Sequence, residues 1–343
     1  MPEDMVTIAF LLITVAGTFL STVVESSVVK AKAQCVNSKD SRGLLVADCS
    51  RNDLSVVPEN VMSDVESLDL RHNYIRKLTN DSFTIYPSIK KLYLSTNAIF
   101  MVEAAAFDPL DDLEILDLEQ NALKGVPPGL PKALKKLYLS SNPLGDVPDN
   151  NAKADMTHLA EAVGLQVLHM RDCELRRFPH MGLLPNLVEL DLASNPIREI
   201  APSDLAQLCR LTKLNVNETE LFRDQQNVCQ CRQLEKWANE YKVIIIGMKC
   251  PDVVTDEPLN ENCTAITDEA RAVYKECMSE WEHRNMPYWA IGSGLLIIVA
   301  IIFILCLCWR RRKRSDKTQS VPTSDSKEND PGNNKAEPTL LSP

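Results

Sequence analysis

Eleven cysteines and five histidines are the side chains of this 343-residue sequence best equipped for chemistry. Four of the cysteines stand close together: Cys229, Cys231, Cys250 and Cys263, with Trp237 between them. Thiolates grouped in this way hold zinc inside cells, and outside cells they oxidise to disulfides. Cys35 and Cys49 form a second group. Cys173 and Cys209 stand apart in the middle of the chain, Cys277 follows the cluster, and Cys306 and Cys308 lie in an apolar run. The histidines are dispersed, and no G-x-S-x-G, H-E-x-x-H or phosphate-binding glycine loop occurs. The expectation is a protein that is not an enzyme and needs no metal or cofactor. Three N-glycosylation sequons, at Asn80, Asn217 and Asn262, point to an extracellular setting for the intervening chain.

The ends of the chain agree with that setting. Val6 to Leu20 is a largely apolar, uncharged run, short for a membrane span and suited to a secretory signal. Its flank carries Glu3 and Asp4 where positive charge is usual, and cleavage is expected between Ser21 and Ala33. A second uncharged run extends from Tyr288 to Trp309. As a helix it reaches roughly 33 Å, enough to cross a bilayer core. Tyr288, Trp289 and Trp309 mark its edges, and five basic residues from Arg310 to Arg314 follow at once. Aromatic belts and positive-inside charge predict a single-pass type I membrane protein at the plasma membrane, N-terminus outside. Residues 310–343 hold eight basic and five acidic side chains, a net +3, so the −10 of the whole chain leaves −13 for the part before them. An acidic exterior argues against nucleic acid as a partner. The tail is too short and polar for a packed domain and contains no signalling module. Cys306 and Cys308, at the inner end of the span, are palmitoylation candidates or ordinary span residues.

Between these ends, a hydrophobic pattern must position everything else. Val65, Leu68, Leu70, Asn73 and Ile75 recur as Ile89, Leu92, Leu94, Asn97 and Ile99, again from Leu113 and Leu134, and in looser form from Leu165, Leu187 and Leu211. A partial copy, Ala47, Cys49, Asn52 and Leu54, precedes them. Self-similarity at this period is that of a leucine-rich repeat, and about eight coils are expected. The predicted fold is an α/β leucine-rich-repeat solenoid with a parallel β-sheet on its concave face, disulfide caps and one transmembrane helix. In each coil the leucines of L-x-L point inward and the residue between them outward. The asparagines Asn73, Asn97, Asn121, Asn142 and Asn195 fall at the turn after the strand, where a buried amide satisfies backbone groups of adjacent coils. Cys173 and Thr219 take that place in two deviant copies. The copy starting at Leu134 is lengthened by an insertion whose stretch Asp155 to Val163 has helical spacing.

These repeats and cysteines resemble the extracellular leucine-rich-repeat proteins with cysteine-rich caps. Within that group the chain resembles the insect, particularly mosquito, leucine-rich immune proteins of the transmembrane type. The resemblance implies pairing of Cys229 with Cys250 and of Cys231 with Cys263 in a C-terminal cap, and a reduced N-terminal cap at Cys35 and Cys49. It also implies recognition of a protein ligand or co-receptor in innate immunity, with adhesion proteins and accessory subunits of channel or receptor complexes sharing the architecture. The expected organisation is a signal peptide over 1–33, N-terminal cap and first coil over 34–58, repeats over 59–222 and C-terminal cap over 223–264. A helical juxtamembrane stalk over 265–287, a transmembrane helix over 288–309 and a cytoplasmic tail over 310–343 complete it.

Outward strand residues line the concave sheet. Tyr93, Ile115, Tyr138, Val167 and His169 combine aromatic and apolar bodies that the repeat itself does not require, and are the candidate protein-binding patch. In the stalk, Ile266, Ala270, Val273, Tyr274, Cys277 and Trp281 are spaced as one helical seam. With the cap using its own four cysteines, Cys277 is a candidate for an interchain disulfide in a homo- or heterodimer. Cys173 and Cys209 read as buried free thiols, with pairing as the other possibility.

Overall fold

The computed structural model describes residues 35–146, 153–223, 228–251, 265–285 and 298–311. The main sheet has ten short strands. They are β1 (Val36–Lys39), β2 (Leu45–Asp48), β3 (Ser67–Asp69), β5 (Lys91–Tyr93), β7 (Ile115–Asp117), β8 (Lys136–Tyr138), β9 (Val167–His169), β10 (Glu189–Asp191), β11 (Lys213–Asn215) and β12 (Ile244–Ile246), in that spatial order. Only β1 and β2 are antiparallel, and every later neighbour is parallel. A parallel stack needs a crossover between strands, and the return path of each repeat supplies it. A second sheet of two strands, β4 (Lys77–Leu78) and β6 (Met101–Val102), forms on that return path.

Register explains the core. Leu68, Leu92, Leu116, Leu137, Leu168, Leu190 and Leu214 pair in one line across the sheet. All are fully buried, because successive strand residues alternate between the two faces. The return path adds Phe83 and Phe107, stacked with ring centroids 6.1 Å apart. Tyr86 is also buried there, and its hydroxyl donates to the carbonyl of Pro58 in the preceding coil.

The asparagine column forms a ladder. Asn142 Nδ2 donates to the carbonyls of Leu118 and Leu139, one in the previous coil and one in its own, while Oδ1 accepts from Leu123 N–H. Asn73, Asn97, Asn121 and Asn195 repeat this geometry. The residue before each ladder position turns the chain through the left-handed region: His72, Thr96, Gln120, Ser141, Asp172, Ser194 and Glu218 all have φ between 55° and 59° or at 53° for Gln120. None is glycine, so each turn carries a conformational cost, offset at the five asparagine positions by the amide bonds beside it. Cys173 keeps only half of the device. Its thiol donates to Leu139 and Arg171 carbonyls, but it offers no acceptor. The preceding coil therefore turns Gly145 N–H to the Cys173 carbonyl, and a Cβ on Gly145 would lie 2.2 Å from the Glu174 carbonyl oxygen.

The thiol of Cys173 is buried and unpaired, and that burial pushes its pKa up to about 12. At pH 8 the reactive thiolate is then roughly one part in ten thousand of the population. Peptide mapping after iodoacetamide treatment at pH 8 is expected to leave Cys173 unmodified in the folded protein and alkylated after denaturation. Rapid modification of the native thiol would show that this coil opens.

The insertion is shorter as a helix than its spacing suggests: one 3-10 turn, Thr157–Glu161. Met156, Leu159 and Ala162 are buried, Met156 N–H bonds the His180 carbonyl, and Glu161 accepts from Gly129 N–H. This segment completes the wall of the solenoid.

Among the described residues, four helices lie in the C-terminal part: α1 (Pro202–Ala206), α2 (Val228–Tyr241), α3 (Asp268–Asn285) and α4, residues 298–311. The chain divides into two compact units, residues 1–282 and 283–343. In the first, α2 buries Cys231, Leu234, Trp237 and Ala238 against the end of the solenoid, and β12 extends the sheet. Trp237, Tyr241 and Tyr274 form an aromatic cluster, with Tyr241 and Tyr274 centroids 4.1 Å apart and Tyr274 edge-on to Trp237.

The expected cap pairing is corrected here. Cys231 is joined to Cys250. Two residues along a helix rotate a side chain by about 200°, so Cys231 faces inward with Trp237 while Cys229 stands half-exposed on another face. Cys229 is also disulfide-bonded; Cys263 lies outside the described residues, as does Asn262. Cys35 and Cys49 are joined, tying β1 to the end of β2.

The stalk expectation is corrected too. Its residues are helical, but in the first unit they dock on the cap. Ala270 and Cys277 are fully buried, and Arg210 lies over the Trp281 ring at 4.5 Å. Cys277 is joined to Cys209 within the same chain, so Cys209 is not a free thiol and Cys277 is not available for an interchain bridge. The sequence showed an apolar seam without showing that its partner is the solenoid end.

Among the described residues no helix is long and apolar enough to cross a membrane. The helical residues 298–311 cover part of the expected span and carry exposed, unpaired Cys306 and Cys308. The remainder of the span, the signal segment and the tail beyond residue 311 lie outside the described residues.

Candidate protein-interaction surface

The strand register builds the concave face column by column. One row runs Asp69, Tyr93, Asp117, Tyr138, His169, Asp191, and the row beside it runs Ser67, Lys91, Ile115, Lys136, Val167, Glu189. Each pair of neighbours is one parallel strand spacing apart, about 4.8 Å. The five residues expected to form a patch therefore do share one surface. All five are half-buried, held in place by their neighbours along the sheet.

The contacts are specific. His169 meets Tyr138 edge-on at 4.9 Å between centroids. Its Nε2 is shielded from water without a hydrogen-bond partner among the described residues, and Glu189 Oε1 lies 3.8 Å away. Arg71 forks onto the Asp69 carboxylate and covers the Tyr93 ring at 5.4 Å. Ser95 Oγ donates to Asp117 at 2.8 Å. Ile115 lies between Lys91 and Lys136, and Lys91 pairs with Asp40 at 3.3 Å.

Partial burial raises the pKa of the Glu119 carboxyl, Ser140 opposing as a hydrogen-bond donor, with further repulsion from Asp117 and Asp191. Burial also raises the phenols of Tyr93 and Tyr138. Glu119 was not among the sequence candidates. Its signal was available, since it stands two residues beyond Asp117 on the same face, but its burial depends on packing between coils.

The face offers aromatic edges, carboxylates and fixed hydrogen-bonding groups. Among the described residues no cluster of His, Cys, Asp or Glu is arranged to hold a metal ion. The sequon residues Asn80 and Asn217 are both exposed.

Comparison with known proteins follows the same pattern. Leucine-rich-repeat models match residues 63–123, 87–144 and 186–208. Nephrocan of Mus musculus is 32% identical over 155 residues, 45% of this chain and 29% of that protein. Toll-like receptor 8 of Homo sapiens is 32% identical over 125 residues, 34% of this chain and 12% of the receptor. Fibromodulin of Sus scrofa is 32% identical over 149 residues, 43% of this chain and 98% of the fibromodulin sequence. This chain spans less than half the length of nephrocan and of the receptor. Repeat register, asparagine ladder and these likenesses together assign it: the chain belongs to the leucine-rich-repeat proteins.

Proposed function

We propose that this protein is a cell-surface recognition protein, a receptor or co-receptor that binds a protein ligand on its concave face. The observation that carries this reading is the registered patch of Tyr93, Ile115, Tyr138, Val167 and His169. It combines rigid aromatic anchors with polar tips, as protein interfaces do. An interface of ordinary size covers about 800 Å² per partner, and an uninterrupted sheet face is suited to presenting that area. The apolar run from Tyr288 to Trp309 with its basic flank supports a single span, exterior repeats and an interior C-terminus. The immune role rests on the resemblance to mosquito leucine-rich immune proteins. The name of one relative, Toll-like receptor 8, accords with a receptor.

The test uses the full-length chain expressed in cells and a panel of secreted and surface proteins. The wild type is expected at the surface, with N-glycans that a glycosidase removes. The triple variant Tyr93→Ala, Tyr138→Ala, His169→Ala is expected to reach the surface and to lose at least ten-fold in affinity for its ligand. An unglycosylated intracellular protein contradicts the location, and unchanged affinity in the triple variant contradicts the face.

A further inference from the structure

The concave face is not where this molecule exposes its largest apolar side chains. Within the repeats those lie on the flank of the first three coils. Val56, Tyr74, Ile85, Phe100 and Met101 are 51, 63, 41, 49 and 44% exposed. In the rest of the described repeats and caps, Val36 and Ile244, each 66% exposed, stand singly. A contiguous apolar patch with a polar rim marks an interaction site, whereas scattered single residues do not.

Three of these residues, Val56, Ile85 and Phe100, line an open groove of about 760 Å³ that runs across all three coils. Its walls are built from the return path. Pro58 is fixed from below by the Tyr86 hydroxyl, and β4 and β6 carry Lys77 and Met101 side by side.

Charge indicates the occupant. Arg76 and Lys77 stand on the groove without an ion pair among the described residues. Arg71, Lys90 and Lys91, from the same coils, each hold a carboxylate. Lys77 Nζ lies 5.7 Å from the Phe100 centroid, which keeps one cation at the apolar floor. Glu59 and Asp81 lie on the same rim, with Ser55, Thr79 and Thr84 among them. Mixed polar groups around an apolar floor are the anatomy of a protein interface.

We infer that this flank groove is a second docking site, independent of the concave face. Its occupant is a segment of a partner protein that presents apolar anchors to Val56, Ile85 and Phe100 and a carboxylate to Arg76 and Lys77.

The test uses the full-length chain in phosphatidylcholine nanodiscs with three probes: a twelve-residue peptide of alternating leucine and glutamate, its leucine–lysine counterpart, and dodecanoate. The glutamate peptide is expected to bind and the lysine peptide to bind at least ten-fold more weakly. Phe100→Ser with Ile85→Ser removes binding. Arg76→Glu with Lys77→Glu reverses the preference between peptides. All four side chains are exposed, so folding is expected to survive, and Tyr138→Ala on the other face leaves peptide binding unchanged. Equal binding of both peptides, or indifference to both flank variants, overturns the inference. Binding of dodecanoate alone overturns it in favour of a small amphiphile.

Discussion

Removing the Cys209–Cys277 bridge as the double variant Cys209→Ala, Cys277→Ala is expected to lower stability by about 4 kcal/mol. The bridge spans a sequence separation of 68 residues and fastens α3 to the coil that precedes the cap. By the chain-entropy argument, a closed loop of that length restricts the unfolded ensemble strongly, and the restriction disappears with the bond. Both cysteines are buried, so the alanine side chains leave no exposed defect. Chemical denaturation of the two proteins under non-reducing conditions gives the difference directly. A change below about 1 kcal/mol would show that Tyr274, Ile266 and Ala270 hold α3 by packing alone. Non-reducing electrophoresis of the wild type is expected to give no dimer that depends on Cys277, since its sulfur is already bonded within the chain.

The second large effect is expected at Asn195. This amide is 1% exposed. It accepts from Cys173 N–H and Leu175 N–H and donates to the Met170 and Leu192 carbonyls. Asn195→Ala strands buried backbone groups in two coils. Each unsatisfied group costs about 1–3 kcal/mol, so the loss is expected at roughly 3–5 kcal/mol after local relaxation. The coil before it is already short of one rung, because Cys173 supplies a donor but no acceptor to its own preceding neighbour. Asn217→Ala, at an exposed asparagine of the next coil, is expected to change stability by less than about 0.5 kcal/mol. Urea midpoints of the three proteins separate the cases. Equal midpoints for Asn195→Ala and Asn217→Ala would mean that the ladder does not hold the coils together.

The fold was legible because its determinant is periodic. Inward leucines and the turn asparagine report one coil each, and their recurrence states both the strand register and the turn. The left-handed residue before each ladder position was not legible: His72, Gln120 and Asp172 share no residue type, and the turn is kept even where Cys173 replaces the asparagine. The cap was legible in content but not in connectivity. Sequence showed C-x-C, whereas pairing depends on which face of α2 each sulfur occupies. Likewise the seam of α3 was visible in the spacing from Ile266 to Trp281. That it closes on the solenoid end, with Cys209 as its bridge partner, is tertiary information. The concave candidates were read from alternation alone and do lie together. The flank groove was missed because Val56, Ile85 and Phe100 come from different positions in their coils and converge only in the folded return path.

The most direct test of the central claim, that the concave face is the recognition surface, is a single measurement of ligand affinity with a glycan placed on that face. Tyr138→Asn creates a sequon with Ser140 two residues on. Lys77→Asn does the same with Thr79 on the flank. With both glycans confirmed by a mobility shift, the account predicts that the Tyr138→Asn protein loses ligand binding by at least a hundred-fold while the Lys77→Asn protein binds that ligand as the wild type does. Undiminished binding by the glycosylated Tyr138→Asn protein would contradict it.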